Sequence, residues 1–397
     1  ECPRISRDEI EIERQIYGDA YIKQEYNCFT PKTLVTCNPS WKPIGDVVIG
    51  ERVLTHTGEY SPVEGIMRRQ YDGEMIRLKT YFSPEFECTP NHPLLTRQGW
   101  IKAEELTKDH WLLEAIPQKI EDIESIKLTD FVTIPKSFRS KWRVHKLENI
   151  PVNNAFLRLL VSYICEGTTS GSNGRQMLLS FSLHDEAFVD ILRQDLRDLF
   201  GIEGKKQRYH NVLLLMFGSV LVNRFFEGLA GKGALNKHLP PWMLHLPKEK
   251  QRVIWDTALL CEGTNRPEQR RLGMISQQFV LQLRTILLRL GFRPSYGTVK
   301  TLADVIEGRV VNSKRVHFLV THNDATNVKA WPRGLNDGTN FHTKIQRLER
   351  FPYIGDVINL QVQKQQSYIA GFHSAHNCEF LDEISAIFTE KALNESM

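Results

Sequence analysis

The sequence has no run of about eighteen apolar residues, the length a helix needs to cross a bilayer, so nothing in it reads as a membrane span. It has no CxxC spacing, and its seven cysteines (Cys2, Cys28, Cys37, Cys88, Cys165, Cys261 and Cys378) are odd in number. Both facts argue against a zinc site and a disulfide framework, leaving free thiols in a reducing cytosol as the simpler reading. A basic, apolar leader is also missing. Residues 8–26 pattern instead as an amphipathic helix, with Ile10, Ile12, Ile16, Tyr17, Ala20 and Tyr21 set among charges, which is wrong for a signal peptide. There is no ATP-binding loop, and an opening Glu1 in place of Met reads as a piece of something longer.

What is present fits a soluble globular protein of two to three domains: 397 residues, 41% hydrophobic and 25% charged. Charge is unevenly placed. Residues 1–27 carry four basic and seven acidic side chains, and residues 378–397 carry one and five, which leaves +11 for the stretch between them. A basic insert between acidic flanks points to a polyanion as partner of the middle, although a solvated basic surface accounts for the charge as well.

Along the chain the pattern changes twice. Residues 28–114 form short alternating runs rich in Thr, Val, Gly and Pro, such as Thr33-Leu34-Val35-Thr36 and Arg52-Val53-Leu54-Thr55, with a turn at His56-Thr57-Gly58-Glu59. Residues 153–331 mix apolar helical periodicity (154–165, 186–200, 219–230, 249–261, 276–290) with strand-like runs at 212–217 and 316–320. Beyond about residue 340 the β pattern returns, at 356–362 and 368–371. The order β, then α/β, then β suggests one domain inserted into another. One tetrapeptide repeats: Cys165-Glu166-Gly167-Thr168 recurs as Cys261-Glu262-Gly263-Thr264, each copy ending a predicted helix.

Self-excision needs a nucleophile at the first residue of the excised segment, a second just beyond its last residue, and an Asn whose side-chain amide can attack its own carbonyl. Cys28, Cys378 and Asn377 fill these positions. Thiols suit the first two roles because they are intrinsically nucleophilic and partly ionised near neutral pH. A peptide C–N bond has partial double-bond character, so its nitrogen must be twisted or protonated. In Thr89-Pro90-Asn91-His92, His92 can supply the proton, and Thr89 or Asn91 can hold the carbonyl oxygen. Each motif alone is weak, since a single Cys is usually a small core residue. Their order, at the two edges of the β-type regions, makes the signal specific.

The Cys28 start, Trp41-Lys42-Pro43-Ile44-Gly45-Asp46, the Thr89–His92 stretch with Gly99-Trp100-Ile101-Lys102-Ala103, and His376-Asn377-Cys378 together resemble the splicing blocks of inteins. The resemblance implies an all-β Hint horseshoe that brings both junctions together. It also implies catalytic roles for Cys28, Thr89, Asn91, His92, His376, Asn377 and Cys378, with His376 assisting Asn377. Two positions depart from the pattern: Asn359 stands where many inteins carry Asp, and Gln366 where they carry His. Asn359 keeps a hydrogen-bonding shape but cannot transfer a proton. His373 is read as an exposed loop residue, with a substitute role for it left open.

If the two Glu-Gly helix ends pack side by side, Glu166 and Glu262 meet, and two adjacent carboxylates repel unless a divalent cation lies between them. Ser162, Cys165, Thr257, Ala258 and Cys261 are small enough for such packing. The stretches 159–167 and 255–263 resemble the paired helices of LAGLIDADG homing endonucleases, and Asn236-Lys237-His238-Leu239-Pro240-Pro241 resembles the block that supplies an active-site Lys, here Lys237. The resemblance implies Mg²⁺ held by Glu166 and Glu262, with double-stranded DNA as partner. The basic excess agrees: eight basic against three acidic side chains in 201–250, and fifteen against six in 266–350. A decayed nuclease is the alternative.

The expected fold is thus an all-β Hint domain interrupted by an α/β LAGLIDADG endonuclease domain of two pseudo-symmetric αββα halves. Its boundaries are 1–27 upstream flank, 28–130 splicing domain, 131–152 linker, 153–331 endonuclease, 332–377 splicing domain and 378–397 downstream flank. The flanks, once joined, resemble the large terminase subunit of tailed phages, so the expected host is a phage or prophage protein in a bacterial cytoplasm. Splicing itself needs no cofactor, and the chain is expected to be monomeric with no membrane partner. Two other classes stay open: a hedgehog-like domain that cleaves without ligating, and a DNA-binding module with inert junctions.

Overall fold

The computed structural model describes residues 27–38, 41–133, 149–170, 175–266, 269–301, 304–306, 309–311, 315–322 and 333–377. The helix expected over 8–26 and the flanks, apart from Asn27 but including Cys378, lie outside them. The chain divides into two compact units, one of residues 1–118 with 327–397, the other of residues 119–326. Among the described residues no helix is long and apolar enough to cross a membrane.

The first unit is a twelve-stranded sheet whose pairings are all antiparallel. Its spine is two long strands from opposite ends of the chain, Tyr60–Thr80 and Asn340–Val362, paired from Ile345↔Thr80 to Val362↔Val63. At the start of the second strand Phe341, Thr343 and Ile345 are buried and alternate with half-buried neighbours, the signature of a strand with one face on a core. That core gathers Phe29, Val35, Ile76, Leu94, Ile358 and Tyr368 among others, drawn from both chain segments. The short strand His373–His376 joins the sheet between Ser367–Ala370 and Pro93–Thr96. His373 is therefore fully buried, with Nε2 3.3 Å from the Ser83 hydroxyl. This corrects its reading as an exposed loop residue: a two-residue turn at Gly371-Phe372 returns the chain into the sheet.

The second unit holds five helices, α1 (Asn154–Glu166), α2 (Glu186–Phe200), α3 (Val220–Ala230), α4 (Lys248–Glu262) and α5 (Gln277–Arg289), among its described residues. Two four-stranded sheets accompany them. One orders Gly167–Ser170, Gln176–Ser182, Val212–Gly218 and Lys205–Tyr209; the other orders Gly263–Asn265, Gln269–Met274, Arg315–His322 and Ser295–Lys300. Each sheet follows the same route: helix, hairpin, helix, hairpin. Each half thus continues past αββα by two strands.

Side chains mark the helix starts. Asn153 Oδ1 accepts from Phe156 N at 3.0 Å, Ser219 Oγ from Val222 N at 3.3 Å, and Ser276 Oγ from Phe279 N at 3.2 Å, each meeting an N–H that the helix leaves without a partner. The repeated Glu-Gly pairs mark two ends. A Cβ on Gly167 or Gly263 would collide with the carbonyl oxygen of Tyr163 or Leu259, so only glycine lets the chain turn from α1 or α4 straight into a strand.

Asn153→Ala should lower the stability of the second unit by about 1 kcal/mol, while Asn153→Ser should leave it nearly parental. Urea unfolding followed by helical circular dichroism measures both.

Candidate functional site

Two clusters draw in the residues singled out by sequence, one in each unit. In the first unit, the turn Thr89–His92 is closed by His92 N donating to Thr89 O at 3.1 Å, with Pro90 and Asn91 in the two central positions that favour them. Thr89 grips Cys28 from both sides. Its hydroxyl accepts from Cys28 N at 3.0 Å, and its own N–H donates to Cys28 O at 3.0 Å. The sequence reading put Thr89 or Asn91 on the carbonyl oxygen of the upstream junction; the Thr89 hydroxyl instead meets the peptide nitrogen. Asn91 is half-buried in the turn.

His92 is fully buried, its ring 4.2 Å from that of Phe29. The Asn27 backbone approaches the imidazole, yet neither ring nitrogen completes a hydrogen bond. Burial, then the neighbouring His376, holds the ring far below the ordinary histidine value, at about 3. His92 is therefore neutral at physiological pH. It can accept a proton and pass it on, but it does not begin with one to give.

The downstream end reaches the same place. Ala375 pairs with Leu94, so continuing the antiparallel register sets Asn377 opposite His92. His376 Nδ1 lies 2.8 Å from Asn377 O; a carbonyl only accepts, so this contact fixes the Nδ1–H tautomer. Asn377 is buried, its N–H donating to Gln366 O at 2.9 Å. The amide orientation that satisfies both its ends has Oδ1 accepting from Val362 N at 3.1 Å and Nδ2 donating to Gln366 O. Gln366 does this with a left-handed backbone, φ 47°, uncommon for a residue with a side chain. Trp100 stands edge-on to His376 at 5.1 Å and to His56 at 5.6 Å. The sequence singled out Trp100 within a motif stretch and Gln366 as a departure from the family pattern, but not these contacts: Gln366 O and Val362 N are main-chain atoms, and Trp100 is a partly exposed aromatic on a short strand. Cys378 lies outside the described residues.

In the second unit, α1 and α4 lie side by side at their ends. Cys261 Sγ is 3.9 Å from Ser162 Oγ, and burial, then the nearby Cys261, raises the Cys165 thiol well above its ordinary value. Glu166 and Glu262 follow these thiols directly. Burial, then the charge of Glu262, pushes the Glu166 carboxyl up to about 8. Glu262 is more exposed, and its carboxyl is also raised, by loss of water and against the opposing pull of Lys237. Lys237 is itself buried. Its ammonium donates to Tyr163 O at 2.6 Å and to Gly167 O, at the carbonyl end of α1, and sits over the Tyr163 ring at 4.7 Å. Desolvation lowers it to about 8, against the pull of Cys165, Glu166 and Glu262. The loop carrying Lys237 is tied down by Ser276 Oγ donating to Lys237 O at 2.6 Å.

A carboxyl held up near 8 beside a second carboxyl is a site short of positive charge. Its oxygen donors match a hard divalent cation such as Mg²⁺. Among the described residues no group of three or more His, Cys, Asp or Glu is arranged to hold a metal, so further ligands would come from water or substrate.

No family model matches the chain. An uncharacterised protein of Methanocaldococcus jannaschii is 26% identical, over 95% of this chain and 53% of that protein. The ATP-dependent DNA helicase Hel308 of Thermococcus kodakarensis is 25% identical, over 87% of this chain and 36% of the helicase. An iron-sulfur cluster assembly SufBD family protein of Mycobacterium tuberculosis is 25% identical, over 90% of this chain and 44% of that protein. The chain thus spans about half or less of the length of these relatives. Among solved structures, the gp41-1 intein is similar over 22% of this chain and 69% of its own, at 20% identity and TM-score 0.21. A mesophilic variant of the homing endonuclease I-DmoI is similar over 45% and 93%, at 13% identity and TM-score 0.33.

The state of His92 gives a pH dependence. An unfolded imidazole binds its proton below about 6.5, while buried His92 does so only near about 3. Between these values the unfolded chain holds more protons. Stability should therefore fall as pH drops through the window, by about 1.4 kcal/mol per unit from this group. His92→Gln should flatten that slope in urea midpoints taken across the window; an unchanged slope would mean the ring titrates normally.

Proposed function

We propose that residues 28–377 form a self-splicing element, and that its second unit is a DNA-cleaving passenger. What supports the first part is that contacts of Thr89, His92 and His376 reach both ends of this segment. Thr89 holds Cys28, His92 lies against the Asn27 backbone and senses His376, and His376 bonds the Asn377 carbonyl.

The chemistry follows from those contacts. The Cys28 thiol yields its proton to neutral His92, and the sulfur attacks the Asn27 carbonyl carbon. His92 returns the proton to the departing Cys28 nitrogen, so the peptide bond becomes a thioester with no net gain or loss. The thiol of Cys378 takes the acyl group in turn, which frees the Cys28 sulfur. The Asn377 side-chain nitrogen then attacks its own carbonyl carbon, with His376 Nδ1–H polarising the oxygen. The bond to Cys378 breaks and a succinimide remains. The freed Cys378 amine takes the acyl group from its own sulfur, and Asn27 becomes joined to Cys378 by a peptide bond.

The names of the relatives favour the same reading. A helicase and an iron-sulfur assembly protein share no activity by name, yet each matches most of this chain over less than half of its own length. An element inserted into unrelated hosts leaves that trace. The flanks' likeness to a phage terminase makes that protein our candidate host here.

For the second unit we propose phosphodiester cleavage, with Lys237 as the cation beside Glu166 and Glu262. Mg²⁺, held by Glu166 and Glu262, would when bound activate water and stabilise the leaving oxygen. Lys237 anchors the end of α1, so it fixes the direction in which Glu166 is presented.

Incubating the full chain and weighing the products should reveal a joined species of 47 residues and a free one of 350. Asn377→Ala should prevent both. Intact chain alone, even with added thiol, would overturn the splicing reading. Glu166→Gln should abolish Mg²⁺-dependent cleavage of DNA carrying the uninterrupted junction and leave splicing intact. Because Glu166 is raised to about 8, Mg²⁺ binding near neutral pH should also release a proton that the variant does not, measurable by calorimetry in buffers of differing ionisation enthalpy.

A further inference from the structure

His56 occupies the turn that follows the strand Arg52–Leu54, where Gly58 N donates to Thr55 O at 3.1 Å. Such turns are made by Gly, Pro, Asn, Asp or Ser, so the turn itself does not call for an imidazole. The side chain instead reaches a residue 311 positions further along the chain. Its ring Nδ1 lies 2.6 Å from Ser367 Oγ, and its main-chain N–H donates to the same oxygen at 3.2 Å. Ser367 is fully buried, so its one hydroxyl is held from two directions by a single residue.

The register shows what Ser367 faces. Ser367 pairs with His376, and the next residue, Asn377, donates its N–H to Gln366 O at 2.9 Å. Hydrogen-bonded and non-hydrogen-bonded pairs alternate along an antiparallel ladder. Ser367 and His376 are therefore a non-hydrogen-bonded pair, with side chains on one face and at their closest. Trp100 completes the cluster. It meets the His56 ring at 5.6 Å and 78°, and the His376 ring at 5.1 Å and 87°. Two imidazoles thus stand edge-on to one indole, and the first is anchored on the residue opposite the second. Burial, then His376, holds His56 below the ordinary histidine value, so the ring is neutral at physiological pH and sets no charge against its neighbour.

We propose that His56 is a positioning residue for the downstream junction: through Ser367 and Trp100 it holds the His376 ring where Nδ1–H meets the Asn377 carbonyl. This rests on the splicing reading above. His376 Nδ1 is 2.8 Å from Asn377 O and polarises that oxygen only while the ring keeps this orientation. A misplacement of about one ångström can cost a reaction roughly a hundredfold, so a brace on the far side of the ring has a large effect to exert. No proton passes through His56; its part is to fix a neighbour.

The test uses the full chain carrying Cys28→Ala, so that only the Asn377–Cys378 bond can break, and follows release of residues 378–397 by mass spectrometry. Dithiothreitol cleavage at Asn27–Cys28, in the chain carrying Asn377→Ala and Cys378→Ala instead, reports whether the rest of the sheet is intact. His56→Phe keeps a ring beside Trp100 and loses the bond to Ser367. It should slow release roughly tenfold and leave dithiothreitol cleavage parental. Ser367→Ala should do the same, and the two together should slow release no further than either alone, because both remove one shared bond. His56→Asn, whose amide can meet the Ser367 hydroxyl as Nδ1 does, should recover most of the rate. Additive losses, equal losses at both junctions, or a His56→Asn chain no faster than His56→Phe would each overturn the proposal. If His56→Phe fails to fold, Ser367→Ala and His56→Asn decide between them. No release from the chain carrying Cys28→Ala alone would instead overturn the splicing reading, and this inference with it.

Discussion

Two main-chain hydrogen bonds between Phe29 and Ile358 tie the start of the described chain to a strand more than three hundred residues later. They add one residue to the edge of the long strand Asn340–Val362, and the position of Cys28 follows from that addition. Phe29 also bridges to Cys88, which sets the Thr89–His92 turn one step from Cys28. The same sheet carries His373–His376 alongside Pro93–Thr96 and brings in the other end. Such non-local pairing costs chain entropy before it returns any contact energy, so the shared core of both segments has to supply the compensation. Within this unit, chemistry at the ends and stability of the core are one constraint: an unfolded sheet has no site.

Both clusters work by holding ionisable groups away from water in their less charged forms. His92 is pressed down to about 3 with a second histidine nearby, and Glu166 is pushed up to about 8 with a second carboxyl nearby. In each case desolvation is the larger cause and the like neighbour adds to it. The consequences differ. A neutral imidazole between a thiol and an amide nitrogen can carry a proton from one to the other. A carboxyl reluctant to ionise gives up its proton when a cation arrives. Lys237, lowered to about 8 by the same loss of water, keeps the second cluster from being purely acidic.

Much of this was legible in the sequence because it was written in local patterns. The five helices of the second unit fall within a residue or two of their apolar periodicity, three of them beginning at an Asn or Ser cap, although Gln277–Arg289 is buried all round from Phe279 onward. The Cys-Glu-Gly-Thr repeat announced two equivalent helix ends because glycine alone fits against the last carbonyl there. The residues missed act through long-range register or through main-chain atoms. His373 reads as a loop residue until its strand is known to lie between two others. Tyr368 reads as one more apolar position until its hydroxyl is found on Asn359. No periodicity encodes that Gln366 turns left-handed to present its carbonyl to Asn377.

The way the first unit is interrupted follows from the same sheet. Trp111–Ala115 pairs with Asn340–Lys344, with Ala115 facing Asn340, so the chain leaves and re-enters this unit on neighbouring antiparallel strands. The pairing even extends outward: Ile116 N donates to Thr339 O at 2.9 Å, and the Gln118 amide donates to Gly338 O at 3.1 Å. Elsewhere in a sheet a tight turn would join two such strands; here residues 119–326 stand in its place. Closing a long loop costs only slowly more than closing a short one, and less still when the inserted chain folds on itself. A position where two strands already meet is therefore where a large insert disturbs a sheet least. Thr89–His92 and His373–His376 lie elsewhere in that sheet, and Phe29 bridges the far end of Asn340–Val362, so the requirement on residues 119–326 reduces to returning the chain at Asn340 in register with Ala115.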